Sequence, residues 1–181
     1  MEKRPWNAGD NMNASVGQGA TQASPLQMAV AYAALGNGGY VVTPHLGKGI
    51  DNSSGEAVQE IDRPSRRKLD FNQNSVDAIL TGLHDAAQAP GGTSYPVFNG
   101  FPVKIAGKTG TAEAGAGKED QSWYLALAPY PNPRYVVAVT VEQGGFGAES
   151  AAPAARQILA KLLGLSKSQQ QKWQPGTSRT Y

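Results

Sequence analysis

Cysteine is absent from this chain, and histidine occurs only at His45 and His84. Disulfide frameworks, Cys-rich zinc centres and thiol catalysis are therefore excluded, and two isolated imidazoles make no metal site. Long apolar runs are also missing. The stretch at residues 28–35 is among the longest and is far too short to span a bilayer. No apolar leader follows Met1-Glu2-Lys3-Arg4, which runs into a polar, Gly-rich segment. Charge of one sign is scarce as well: 16 Lys and Arg against 14 Asp and Glu leave a net +2, so no nucleic-acid surface is expected. The small basic cluster of Arg63, Arg66, Arg67 and Lys68 reads as a solvated patch. What the chain has in plenty is glycine and proline, 22 and 12 of 181 residues, against a usual share of roughly 12% for the two together. The composition is that of one loop-rich globular domain, long enough to bury a real core.

Along the chain, residues 1–23 are dominated by small and polar side chains and read as irregular loop. A helix then starts sharply, with Ser24 as its cap, Pro25 in its first turn and Gln27 as the capping-box partner. Gly36-Asn37-Gly38-Gly39 ends it. A short strand is expected over residues 40–43, stopped by Pro44, and the polar stretch 47–68 reads as a surface excursion or edge hairpin. Val76, Ile79, Leu80, Leu83 and Ala87 fall at helical spacing and predict a second helix over residues 75–89. His84 on that helix is expected at the surface, and His45 as a structural hydrogen-bonder. Three strands are expected over 103–111, 122–128 and 135–142, the last two flanking a Pro-rich hairpin connection. A final helix is expected to begin near Pro153, with Ile158, Leu159, Leu162 and Leu163 apolar. Residues 1–165 read as the domain and 166–181 as a polar, frayed or disordered tail.

The most informative string is Gly107-Lys108-Thr109-Gly110-Thr111. A phosphate loop would need glycine five residues before Gly107, where Pro102 stands, and a helix afterwards. The dinucleotide pattern fails as well, since Gly36/Gly38, Gly47/Gly49, Gly115/Gly117 and Gly145/Gly147 all lack the third glycine. No cofactor is expected. On a strand, alternation puts Lys108 and Gly110 on one face and Thr109 and Thr111 on the other. An edge carrying a cation, hydroxyls and a glycine can lie against a ligand's backbone and hold its carboxylate.

This string stands in an ordered context. Trp6, Gly9-Asp10, Asn13 and Ser15-Val16-Gly17-Gln18-Gly19 precede Ser24-Pro25-Leu26-Gln27, Asn37-Gly38-Gly39 and Pro44-His45. Ala112-Glu113, Ser122-Trp123-Tyr124, Val141-Glu142 and Ala151-Ala152-Pro153 come later. Together these resemble the C-terminal half of the transpeptidase domain of a penicillin-binding protein, closest to the monofunctional class B type. The resemblance covers residues 5–163. It implies an α/β fold of the α+β type, a five-stranded antiparallel sheet flanked by helices, similar to that of β-lactamases. It also implies serine acyl transfer between D-Ala-D-Ala stem peptides of peptidoglycan, with β-lactams entering the same pocket. In that scheme Lys108 supplies positive potential, and Thr109 and Thr111 hold the substrate carboxylate. The Thr111 N–H is an oxyanion donor, Gly110 permits close approach and Trp123 helps line the cleft. The implied partners are the peptide, the drug and the elongation or division machinery, on the outer side of the cytoplasmic membrane.

The family's S-x-x-K and S-x-N motifs lie before the Trp6–Gly19 segment and are not found in their places here. One S-x-x-K does occur, Ser65-Arg66-Arg67-Lys68, but it stands in a charged stretch behind Pro64, poorly suited to a buried helix-borne nucleophile. No Ser is followed two residues on by Asn. The chain is thus expected to supply one wall of an active site and to be inactive alone, with one apolar sheet face left for the missing half to cover. The alternative is a binding module derived from the same fold, recognising peptides or partners without acyl transfer.

Overall fold

The computed structural model describes residues 4–19, 22–62, 66–114, 117–166 and 169. The expected loop at the start contains a helix, α1 (Ala8–Ser15). Asn7 caps it by accepting from the N–H groups of Gly9 and Asp10, and the Asp10 carboxylate accepts from the Asn7 N–H. This is a capping box written with Asn and Asp instead of Ser and Glu. No residue of α1 is buried. It therefore carries no apolar stripe, which is why periodicity does not reveal it.

The next helix, α2 (Pro25–Gly36), begins as predicted: Ser24 Oγ accepts from the Gln27 N–H, and Gln27 Oε1 accepts from the Ser24 N–H. A two-residue strand β1 (Tyr40–Val41) follows, shorter than expected. The excursion over 47–68 holds a hairpin of β2 (Gly49–Asp51) and β3 (Ala57–Glu60), exposed throughout, then β4 (Arg67–Lys68), which pairs with β1. Ser65, the serine of the stray S-x-x-K, lies outside the described residues.

Helix α3 (Gln73–Gln88) is capped by Asn72 and buries Val76 and Ala87. One further helical turn, α4 (Tyr95–Phe98), gives no signal in the sequence, yet it buries Val97 and Phe98. Three strands then form one antiparallel sheet in the order β5 (Ala106–Ala112), β6 (Gln121–Ala128), β7 (Tyr135–Val141). The first starts later than the expected residue 103, because the carbonyl of Val103 and the N–H of Ile105 are bound by the side chain of Gln88 instead of a strand. The final helix is α5 (Ala151–Leu162).

Directly paired residues of an antiparallel sheet share a face. Tyr124, Ala126 and Ala128 point to one side, where they pack with α4 and the inner face of α5. That inner face is made of Ala151, Ala152, Ala155, Leu159 and Ala160, and of the other residues read as apolar on this helix Leu163 packs against the core. Ile158 and Leu162 are exposed. Small residues let the helix approach the sheet closely, and the ring of Tyr124, stacked on Phe98 with centroids 5.3 Å apart, fills the remaining space. On the opposite face, α2 lies over β6 and β7, with Gly36 against Leu127. The face expected to be bare is therefore largely covered, and Leu125 and Leu127 are buried. The sheet among the described residues has three strands where the resemblance implied five.

Candidate active site

A cleft of about 550 Å³ opens along β5. Its floor is Lys108 to Glu113 with Trp123 and Leu125 of β6, and its far wall comes from Gly17 to Gly19 and from Met28 and Tyr32 of α2. All four residues of the expected Lys-Thr-Gly-Thr string line it, as does Trp123, which sits opposite Gly110 on the neighbouring strand. Lys108 pairs with Leu125 and Thr109 with Tyr124. The predicted alternation holds: Lys108 and Gly110 share the α2 face, and Thr109 and Thr111 share the other.

Among the described residues β5 is an edge strand, paired only with β6. In an antiparallel ladder the N–H and C=O of one residue leave on the same side. The carbonyl of Thr111 accepts from Gln18 Nε2 at 3.2 Å, across the cleft and away from β6. The Thr111 N–H leaves by the same edge and so is aimed at the cleft. Gly110 lies on the rung behind. A Cβ on Gly147, in the loop after β7, would fall 2.7 Å from the Gly110 carbonyl and 2.6 Å from that of Trp123, so this loop braces the rung by direct backbone contact. Ser122 ties the same loop down, donating to the Phe146 carbonyl and accepting from the Ala151 N–H at the start of α5.

Lys108 folds back along its own strand, donating to the carbonyl of Thr109 at 3.1 Å and to its hydroxyl at 3.3 Å. The residue as a whole is exposed, yet its ammonium is shielded enough that burial pushes its pKa below the usual lysine value. Thr109, itself buried, donates to the hydroxyl of Thr93 at 2.9 Å. Beside it Ser94 donates to the Ala86 carbonyl and is paired with the Tyr124 hydroxyl at 3.0 Å. The Tyr124 ring runs diagonally beneath Gly107, where a Cβ would collide with its hydroxyl. Gln88, Thr93 and Ser94 thus fasten the underside of β5. Sequence reasoning missed all three: Thr93 and Ser94 are small polar residues after a Pro-Gly-Gly helix stop and look like any other loop, and Gln88 looks like any polar residue at a helix end. It missed Arg156 too. That side chain is buried in α5, donates to the Val97 carbonyl at 2.6 Å and lies over the Phe101 ring.

Other candidates take plainer places. Glu113 lines the cleft but has no ion-pair partner among the described residues. Asp10 is held by Arg4. His45 is exposed and bonds the Gly47 carbonyl, as expected. His84 departs from its expected surface place: it is half-buried and stacks on Tyr130 with ring centroids 4.6 Å apart. Among the described residues no group of three His, Asp or Glu side chains could hold a metal, and no helix is long and apolar enough to cross a membrane.

The family model described as the penicillin binding protein transpeptidase domain matches residues 1–160. The chain belongs to the penicillin-binding protein transpeptidase family. It is 37% identical over 188 residues to the peptidoglycan D,D-transpeptidase MrdA of Haemophilus influenzae, covering 94% of this chain and 28% of that protein. The Escherichia coli K12 MrdA is 32% identical over 177 residues, covering 89% of this chain and 27% of its own length. Among solved structures, Pseudomonas aeruginosa PBP2 in complex with WCK 5153 superposes with a TM-score of 0.79 at 30% identity, covering 95% of this chain and 37% of that one. The chain thus spans little more than a quarter of the length of the curated relatives it matches. Its mixed helix and antiparallel-sheet fold is that of part of a penicillin-binding transpeptidase.

Proposed function

We propose that this chain forms the Lys-Thr-Gly wall of the active site of a peptidoglycan D,D-transpeptidase that cross-links stem peptides by serine acyl transfer and is acylated by β-lactams. The observation that carries this reading is the edge of β5: a lysine, two threonines and an outward-aimed N–H in one cleft. A peptide ending in D-Ala-D-Ala lies along that edge. Lys108 supplies positive potential, and the hydroxyls of Thr109 and Thr111 hold the terminal carboxylate. The Thr111 N–H stabilises the oxyanion formed when a serine attacks the penultimate carbonyl. Gly110 leaves room for the backbone of the peptide, and Trp123 lines the cleft beside it.

The attacking serine and its S-x-N companion belong to another part of the enzyme, so this chain by itself is inactive. Residues 1–165 are the contribution to that domain, and 166–181 are a polar extension. The site works on the outer side of the cytoplasmic membrane, as part of the elongation machinery. The Helicobacter pylori PBP2 that this chain resembles at 25% identity has been solved in complex with MreC, which favours an elongation partner.

Intact-protein mass after incubation with a penicillin tests the reading. This chain alone should gain no mass, whereas a polypeptide joining it to a segment with both missing motifs should gain one penicillin. A gain by the chain alone would overturn the division of labour, and peptide mapping would then begin at Ser65. No gain by the joined polypeptide would favour the binding-module alternative.

A further inference from the structure

Thr109 already has two hydrogen-bond partners. Its oxygen accepts from Lys108 Nζ and its hydrogen goes to Thr93 Oγ1. A hydroxyl has one hydrogen, so a Thr109 fixed in this state has none left for a carboxylate. Both hydroxyl rotors turn freely about C–O, and the Thr93 oxygen has a hydrogen of its own. From this geometry we infer that Thr93 is a positioning residue for carboxylate recognition in the cleft, acting only through Thr109. When the cleft is empty, Thr93 takes the Thr109 hydrogen. When a carboxylate arrives, the pair reverses: Thr93 donates to Thr109, and Thr109 donates to the carboxylate oxygen. Each hydroxyl keeps its own hydrogen and no bond to hydrogen breaks.

The reversed chain strengthens the contact, because a hydroxyl that accepts a hydrogen bond becomes a better donor. Thr93 also holds the Thr109 side chain from below, on the sheet face away from Lys108. Its location explains why it is placed so firmly. Ser94, the next residue, is fully buried and bonded to Ala86 and Tyr124, and Gln88 anchors the end of α3 to the entry of β5. Thr93 therefore cannot drift from Thr109 without disturbing several buried contacts.

This inference rests on the carboxylate role proposed above, and the experiment separates the two. Backbone amide shifts of residues 109–112 in this chain are followed during titration with an acyl-D-alanyl-D-alanine peptide and with its C-terminal amide. The wild-type chain should bind the acid more tightly than the amide. Thr93→Val should weaken the acid roughly 5-fold, the effect of one hydrogen bond, and leave the amide unchanged. Thr93→Ser should restore acid binding. On a Thr109→Val background, Thr93→Val should have no further effect.

If the wild type does not distinguish acid from amide, the carboxylate reading itself falls, and this inference with it. If the wild type does distinguish them and Thr93→Val does so equally well, or loses both ligands alike, only the role of Thr93 is overturned. The amide spectrum away from the cleft reports whether Thr93→Val is folded. Should it unfold, Thr93→Ser and the Thr109→Val chain decide: loss of acid preference in Thr93→Ser, or its persistence in Thr109→Val, overturns the relay.

Discussion

Gln18 and Thr111, 93 residues apart in sequence, meet across the cleft, where the Gln18 amide donates to the Thr111 carbonyl at 3.2 Å. Gln18 lies between Gly17 and Gly19, both with positive φ, so the turn that presents it is one that other residues adopt at a cost. The bond joins the segment after α1 to the free edge of β5 and sets the width of the cleft. Gln18→Met keeps the length of the side chain and removes the donor. Amide exchange at residues 16–19 should then quicken by roughly 5-fold, as for loss of one hydrogen bond, while exchange in β6 stays unchanged. Equal quickening in β6 would show that the contact supports the whole sheet and not the cleft alone.

Gly107 is glycine for steric reasons. A Cβ there would meet the Tyr124 hydroxyl, with Cζ at 2.9 Å and the Leu125 carbonyl at 3.0 Å. Gly107→Ala should lower stability by about 1–3 kcal/mol, the usual cost of overpacking, which for a chain of this size is a fall of roughly 2–12 °C in Tm. Gly110→Ala meets only Trp123 Cβ, at 3.1 Å, and should cost less stability. Because Tyr124→Phe removes the first obstacle, the double variant Gly107→Ala/Tyr124→Phe should be more stable than the two single effects added together. Thermal unfolding of the four proteins measures that coupling.

Much of this arrangement was legible because it is local or periodic. Ser24, Pro25 and Gln27 carry a complete start signal within four residues, and α2 begins there. The alternation of Lys108 to Thr111 needs only a strand to be right, and the pairing with β6 bears it out. What stayed hidden depends on distant neighbours. Helix α1 is stabilised by polar caps without a buried face, and α4 is a single turn whose Phe98 is placed by the ring of Tyr124. Thr93 matters only because the chain returns to set Thr109 against it. Arg156 carries no signal in the sequence, because its partners, the Val97 carbonyl and the Phe101 ring, lie more than 50 residues away. That alanines surround Leu159 at the α5 interface stayed hidden for a related reason, since how close two elements approach is not written in either one.

Tyr124 should make the protein alkali-sensitive. Burial pushes its phenol well above the ordinary value of 10.0, outweighing the opposing hydrogen bond from Ser94. In the unfolded chain the phenol loses its proton near pH 10, whereas in the folded chain it keeps it. The folded state then binds more protons, so stability falls as pH rises above about 10. Tyr124→Phe should cost about 1 kcal/mol at neutral pH through the lost hydrogen bond, and the gap to wild type should narrow at pH 11. Denaturant unfolding at pH 7 and pH 11 checks this, and a gap that widens would contradict it.

Asp10 gives the opposite dependence at the acid end. The hydrogen bonds from Arg4, helped by the Asn7 N–H, lower its pKa from 3.8 to about 2. The folded chain thus releases this proton more readily than the unfolded one, so the contribution is present above about pH 4 and is lost as pH falls toward 2. Because no residue of α1 is buried, the loss should appear in that helix and not in global unfolding. Amide protection across residues 8–15 should fall between pH 4 and 2 while that of β6 holds. Arg4→Ala should move the Asp10 carboxyl titration upward toward 3.8, and Asp10→Asn should abolish the acid dependence of α1. If the protection of α1 in Asp10→Asn still fell over the same pH range, another carboxylate would be holding the helix.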